Sequence, residues 1–238
     1  MPALALPDRA ALLLDLDGTL LDFAPTPDRV IVPPGLIDDL CAIRARLDGA
    51  LAIVTGRPIA QVDALLGDAL YAVAGEHGTA LRTAPDAPIR HIPLPALPAG
   101  WADRARSAAA RHDGALYEPK AHGFVLHYRQ ASGAGDALRA AALAILDHNP
   151  DFMLMPASMA WEAKPVAADK GQAVRALMAN PPFAGRTPVY IGDDVTDLDG
   201  IAAAEALGGI GWRVEPVFAT PSGVRAWLHD LTRLRMPI

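Results

Sequence analysis

The chain has 238 residues, enough to bury a sizeable core in one large or two modest domains. Its 52% hydrophobic content is inflated by alanine, and no apolar run approaches the ~20 residues of a spanning helix, so a membrane protein is not expected. A net charge of −6 with no basic block argues against nucleic-acid binding, and the single cysteine, Cys41, excludes an intrachain disulfide.

The N-terminus lacks a basic segment followed by an apolar one, so no signal peptide is expected and a reducing cytoplasm fits best. In chain order, the apolar run Ala10 to Leu14 reads as a buried strand. Asp15-Leu16-Asp17-Gly18-Thr19-Leu20 follows at once, at the strand end where open α/β sheets place their ligand crevices. Strand alternation predicts that Asp15 and Asp17 project the same way, with Leu16 opposite. Two like charges so close call for a cation or a shared proton, which points to Mg²⁺ and phosphate chemistry. An irregular, proline-punctuated segment, Phe23 to Pro34, comes next. Leu36, Leu40, Ile43 and Leu47 recur at helical spacing, and Gly49 closes that helix.

Ala50 to Val54 is a second buried strand ending at Thr55-Gly56-Arg57, and Pro58 suits the first turn of the helix carrying Ile59, Val62, Leu65 and Leu66. Tyr71 to Ala74 makes a third strand before Gly75-Glu76-His77-Gly78. This β-α-β-α-β order predicts a parallel sheet with right-handed crossovers. The pattern changes after Arg82, and the proline-rich stretch Thr83 to Gly100 reads as a linker. Trp101 to His112 and Gly135 to His148 read as helices, Gly123 to Arg129 as a strand, and Asp151–Met155 with Met159–Ala163 as a hairpin turning at Pro156-Ala157-Ser158. The α/β pattern resumes with helix Lys170 to Asn180, strand Pro188 to Ile191, helix Thr196 to Leu207, strand Gly209 to Val214 and helix Ser222 to Leu234. The expected fold class is α/β: a Rossmann-like core over 1–83 and 165–238, with a smaller α+β cap inserted over 84–164.

Polar residues of one kind recur at strand ends and helix starts: Asp15-x-Asp17-Gly18-Thr19, Thr55-Gly56-Arg57, Lys170 after Ala168-Asp169, and Gly192-Asp193-Asp194-Val195-Thr196-Asp197. Each is weak alone; together and in this order they resemble the four motifs of the haloacid dehalogenase superfamily of phosphotransferases. Within it, the chain resembles the trehalose-6-phosphate phosphatase family. That likeness rests on Ala74-Gly75-Glu76-His77-Gly78, Leu126-His127-Tyr128-Arg129, Asp193-Asp194-Val195-Thr196-Asp197, Glu118-Pro119-Lys120 and Trp161-Glu162-Ala163-Lys164. One position departs from that family's pattern, which usually has Glu where this chain has Leu198.

The resemblance implies a Mg²⁺-dependent enzyme that releases trehalose and phosphate from trehalose 6-phosphate. It assigns Asp15 as nucleophile, Asp17 as acid and base, Thr55 and Lys170 to the phosphoryl oxygens, and Mg²⁺ to Asp15, the Asp17 carbonyl and Asp193, with Asp194 and Asp197 in support. Glu118, Lys120 and Glu162 are expected on the sugar hydroxyls, with Gly56, Arg57, His77 and Arg129 nearby; His127 and Tyr128 read as packing. The partner is a small sugar phosphate, and a trehalose-phosphate synthase, if it acts in the same pathway, is expected as a separate chain. Rival readings are a similarly capped phosphatase for sucrose phosphate or a mannosyl- or glucosyl-phosphoglycerate, for which Lys120, Arg129 and Lys164 would supply cations, and a catalytically weak sugar-phosphate-binding relative with a regulatory role.

Overall fold

The computed structural model describes residues 4–24, 29–67, 71–120 and 122–233. Of the sequence expectations, residues 25–28 of the irregular segment and Leu234 of the last helix lie outside these. The chain separates into two units, one running to Ile92 and resuming at Asp169, the other spanning Pro93–Ala168.

The larger unit is built on a seven-stranded sheet. Its strands are β1 (Ala10–Leu14), β2 (Leu51–Val54), β3 (Ala72–Gly75), β4 (Ala80–Arg82), β5 (Arg90–His91), β10 (Thr187–Gly192) and β11 (Ile210–Arg213), in the order β11-β10-β1-β2-β3-β4-β5. The pairings from β11 to β3 are parallel, and those of β3 with β4 and β4 with β5 are antiparallel. Every residue of β1 and β2 is buried, as continuous apolar runs require when both faces of a parallel sheet are covered. The covering helices include α1 (Leu36–Arg46), α2 (Ile59–Leu66), α5 (Lys170–Met178), α6 (Asp197–Ala206) and α8 (Pro221–Arg233). Gly49 does close α1: at φ 89° its N–H donates back to the Arg44 carbonyl at 2.8 Å, a left-handed ending that glycine adopts without strain. Pro58 stands just ahead of α2 in an extended conformation.

Two differences from the sequence reading concern short strands. β4 and β5 extend the sheet antiparallel beyond β3, so residues 84–92 run with the larger unit and not with an inserted cap. A two-residue strand of exposed Arg90 and His91 has no apolar periodicity to announce it. A short helix, α7 (Val214–Phe218), also precedes α8.

The smaller unit is a four-stranded antiparallel sheet, β6 (Leu116–Lys120), β7 (Gly123–His127), β8 (Phe152–Ala157) and β9 (Ala160–Pro165), in the order β6-β7-β9-β8. Helices α3 (Trp101–Ala109) and α4 (Gly135–Leu146) pack on one face, with Trp101, Ala105, Leu138, Ala142, Phe124, Leu126 and Phe152 in the core. The hairpin turns at Ser158-Met159 and not at Pro156, which lies in β8 opposite Trp161. Proline is tolerated there because β8 is an edge strand. The other face of this sheet carries Glu118 and Lys120, then Val125 and His127, Glu162, and Met153 and Met155, by strict alternation from the pairings Glu118↔Val125, Val125↔Glu162 and Met155↔Glu162.

Leu13 has no exposed surface. Leu13→Ala is expected to lower the unfolding free energy by about 2–5 kcal/mol, the range for a buried leucine that leaves a cavity. A urea melt with an unchanged slope and a shifted midpoint checks this.

Candidate active site

The end of β1 and the starts of α5 and α6 meet around one buried charge cluster. Asp15 follows β1, and its N–H donates to the Ile191 carbonyl at 2.9 Å, tying it to the end of β10 two residues before Asp193. Lys170 opens α5, whose first turn is set by Asp169: its side chain caps the helix by accepting from Gly171 N–H at 2.6 Å. From there Lys170 Nζ donates to Asp15 Oδ1 at 2.8 Å and to Asp197 Oδ1 at 2.7 Å. All three groups are buried: Asp15 4%, Lys170 4% and Asp197 0% exposed.

The electrostatics follow from that burial. Desolvation alone would lower the Lys170 ammonium, but the charges of Asp15 and Asp197 outweigh it and hold its pKa above the ordinary lysine range. Asp15 is pushed well above the usual carboxylate range by burial and by the charge of Asp197, with Lys170 opposing. Asp193 is raised to about 6, first by burial and then by Asp197 and Asp194. Tyr190, buried in β10, donates its hydroxyl to Asp197 Oδ1 at 2.6 Å, and burial with the Asp197 charge keeps that proton in place.

Carboxylate oxygens of Asp15, Asp193 and Asp197 lie within 4.8 Å of one another, a grouping that fits a metal ion. Asp197 is the least free of the three: Oδ1 accepts from Lys170 and Tyr190, and Oδ2 accepts from Asp194 N–H at 3.0 Å. Asp15 and Asp193 are therefore the carboxylates suited to a cation, and both are held high by repulsion and desolvation that a divalent ion would relieve. The Asp17–Gly18 backbone closes in on the same point. A Cβ on Gly18, at φ 85°, would fall 2.2 Å from Asp193 Oδ2, so only glycine lets the chain pass there. An all-oxygen set suits a hard cation such as Mg²⁺.

The two aspartates of the first motif do not share one environment. The strand stops at Leu14, and the chain turns back on itself, with Leu20 and Leu21 N–H on the Leu16 carbonyl and Gly18 N–H on the Leu21 carbonyl. Asp17 lies within this turn, and its carboxylate takes two bonds from Arg57, Nε to Oδ2 at 2.6 Å and Nη2 to Oδ1 at 2.7 Å. Thr55 is buried, and its hydroxyl oxygen accepts from Arg57 N–H at 3.2 Å. Glu76 and His77 both adopt left-handed backbone, at φ 51° and 56°, ahead of Gly78 at 93°. That strained turn is held by Glu76 N–H on the Arg57 carbonyl and His77 N–H on the Thr55 carbonyl. It sets the His77 ring against Gly56, where an added Cβ would meet it at 2.8 Å.

Asp194 does not reach Lys170: it is exposed and accepts from Val195 N–H at 2.5 Å. Leu198 is exposed on the first turn of α6. Two participants escaped the sequence reading. Thr19 donates to Asp15 Oδ2 at 3.0 Å and also lies 3.4 Å from Asp193 Oδ1. Its signal was a hydroxyl one helical turn after Asp15. Tyr190 was a lone polar group inside an apolar strand.

On the open face of the smaller sheet, Glu118 Oε1 pairs with Lys120 Nζ at 2.5 Å and Oε2 with His127 Nε2 at 2.7 Å. Partial burial works to raise the Glu118 carboxyl, but Lys120 and His127 outweigh it and hold it below its ordinary value. Glu162 shares this face, and Arg129 beyond β7 donates to Ser158 Oγ at 3.2 Å. Lys164 is buried and donates to the Ala168 carbonyl at 2.8 Å.

A family model described as trehalose-phosphatase matches residues 13–223. The trehalose-6-phosphate phosphatase of Escherichia coli (strain K12) is 38% identical over 205 residues, 86% of this chain and 77% of that protein. A probable trehalose-phosphate phosphatase of Sinorhizobium fredii (strain NBRC 101917 / NGR234) is 40% identical over 216 residues, 88% of this chain and 79% of that protein. Among solved structures, the C-terminal domain of C. albicans trehalose-6-phosphate phosphatase shares the fold with a TM-score of 0.77 at 20% identity, covering 95% of this chain and 93% of that one. A family match through nearly the whole chain, with relatives at 38% and 40% identity over most of both lengths, leaves one conclusion: the chain belongs to the trehalose-phosphatase family.

Proposed function

We propose that the chain hydrolyses trehalose 6-phosphate to trehalose and phosphate through a phosphorylated Asp15, with Mg²⁺ as cofactor. The observation that carries this reading is the fixing of one buried carboxylate from two sides, Asp15 Oδ1 by Lys170 and Oδ2 by Thr19, beside the acidic Asp193. The substrate is supported by the names of the relatives that match over most of their own length.

In the first step an Asp15 oxygen attacks phosphorus in line as the bond to the sugar oxygen breaks, its electron pair leaving with that oxygen. Asp17 gives the departing oxygen a proton. Both Asp17 oxygens rest on Arg57, so one of those bonds must open for Asp17 to act. In the second step water attacks the phosphorus of the aspartyl-phosphate, Asp17 takes its proton, and Asp15 is released as carboxylate with inorganic phosphate. Lys170 and the Thr55 hydroxyl stabilise the charge on the phosphoryl oxygens. Asp15, Asp193 and the Asp17 carbonyl would hold Mg²⁺, which when bound supplies charge neutralisation at the phosphate. Asp197 sets Lys170, and Asp194 adds negative charge beside Asp193. Glu118, Lys120 and Glu162 read the sugar hydroxyls, with Gly56, Arg57, His77 and Arg129 as further contacts; the core of the larger unit does the chemistry.

The test is phosphate release from trehalose 6-phosphate beside sucrose 6-phosphate, glucose 6-phosphate and mannosyl-3-phosphoglycerate. Strong preference for the first, lost with EDTA, restored by Mg²⁺ and absent in Asp15→Asn, is expected. Preference for another ester would overturn the substrate. Lys170→Met should abolish turnover and destabilise the fold by about 3–5 kcal/mol, because it leaves Asp15 and Asp197 buried without their cation; kinetics and a denaturant melt read the two effects separately.

Acidity sets a further expectation. With its carboxyl at about 6, Asp193 must give up a proton before binding Mg²⁺ below that pH, so the Mg²⁺ Kd measured by calorimetry should rise about tenfold per pH unit below about 6. The sign for stability is opposite to that of an ion-paired carboxylate. The unfolded chain releases this proton near 3.8 and the folded one near 6, so the metal-free fold loses this contribution as pH rises between them.

A further inference from the structure

His127 has no part in the roles assigned so far, yet it makes a short contact on the open face of the smaller sheet. Glu118 and Lys120 both stand on β6, an edge strand with one neighbour. His127 stands on β7, between β6 and β9, one diagonal step from Glu118 in the register Leu116↔His127, Glu118↔Val125. Its Nε2 lies 2.7 Å from Glu118 Oε2, while the other carboxylate oxygen faces Lys120.

From this geometry we infer that His127 is a positioning residue: it pins the Glu118 carboxylate to the interior of the sheet in the orientation that accepts sugar hydroxyls. The inference rests on the reading of Glu118 as a sugar-binding group. Lysine alone does this poorly. Its ammonium is a point charge on a four-carbon stem and follows the carboxylate wherever it turns, whereas an imidazole on one methylene offers a donor in a single direction. With one bond to each oxygen, Glu118 keeps lone pairs on both, enough for two adjacent hydroxyls. The depressed Glu118 carboxyl agrees with a group kept ionised and acceptor-only by both neighbours.

The experiment compares trehalose 6-phosphate with p-nitrophenyl phosphate, which has no sugar to read, in the full chain with Mg²⁺. In His127→Leu the ratio of kcat/KM for trehalose 6-phosphate to that for p-nitrophenyl phosphate should fall about tenfold, mainly through KM, the scale of one lost hydrogen bond to a charged group. His127→Gln, which restores an N–H donor, should recover most of the ratio. A ratio unchanged in His127→Leu, or both substrates falling together, would overturn the assignment while leaving the trehalose-phosphatase reading intact. A wild-type chain with no preference for trehalose 6-phosphate would overturn that reading and this one with it.

Discussion

The ammonium of Lys170 is the group on which the rest of the site depends. Asp15 and Asp197 are both buried, and two carboxylates cannot share so dry a place without a cation between them. One lysine answers both and ties three elements together: the end of β1, the start of α5 and the start of α6. The surrounding hydrogen bonds complete this arrangement in one direction. Tyr190 and the Asp194 N–H occupy Asp197, fixing it as an anchor, whereas Asp15 keeps lone pairs toward Asp193. Hydrogen bonding thus separates two chemically identical buried side chains, one saturated by its partners and the other left with room for a further ligand.

The polar groups of the smaller unit work under a different regime. Glu118, Lys120 and His127 are between a third and a half exposed, so their ion pairs contribute little to stability. Their arrangement is geometric. Alternation along antiparallel strands gives one face of the sheet to the apolar core with α3 and α4, and leaves the other to carry acids, bases and the methionines of β8. On a face of this kind the pairs fix side-chain orientation more than they add stability.

Much of this was legible in the sequence, for a physical reason. β1 and β2 are covered on both faces, so they read as unbroken apolar runs, and the residue that ends each run is the residue the sheet edge presents. Asp15, Thr55 and Asp193 were found that way, and Lys170 by its place at a helix start. What was hidden lacked such contrast. β5 is two exposed polar residues, and β6 holds a proline that an edge strand tolerates. Strand alternation misled at Asp17, because the strand had already ended at Leu14. His127 looked like packing because its partner, nine residues away, is set by pairing register and not by local spacing. Tyr190 and Thr19 were concealed for the same reason: their roles are defined by what they face.

The contact between Asp15 and Lys170 spans 155 positions of sequence. Closing a flexible loop of that length costs roughly 4–5 kcal/mol of chain entropy beyond a constant, and β1 also waits for β10 to arrive as its neighbour. Any fragment ending before Asp169 therefore carries Asp15 without the cation that makes its burial tolerable. A folded Pro93–Ala168 unit replaces much of that floppy loop with a compact body. In polymer terms the inserted unit shortens the flexible path between the two halves of the core.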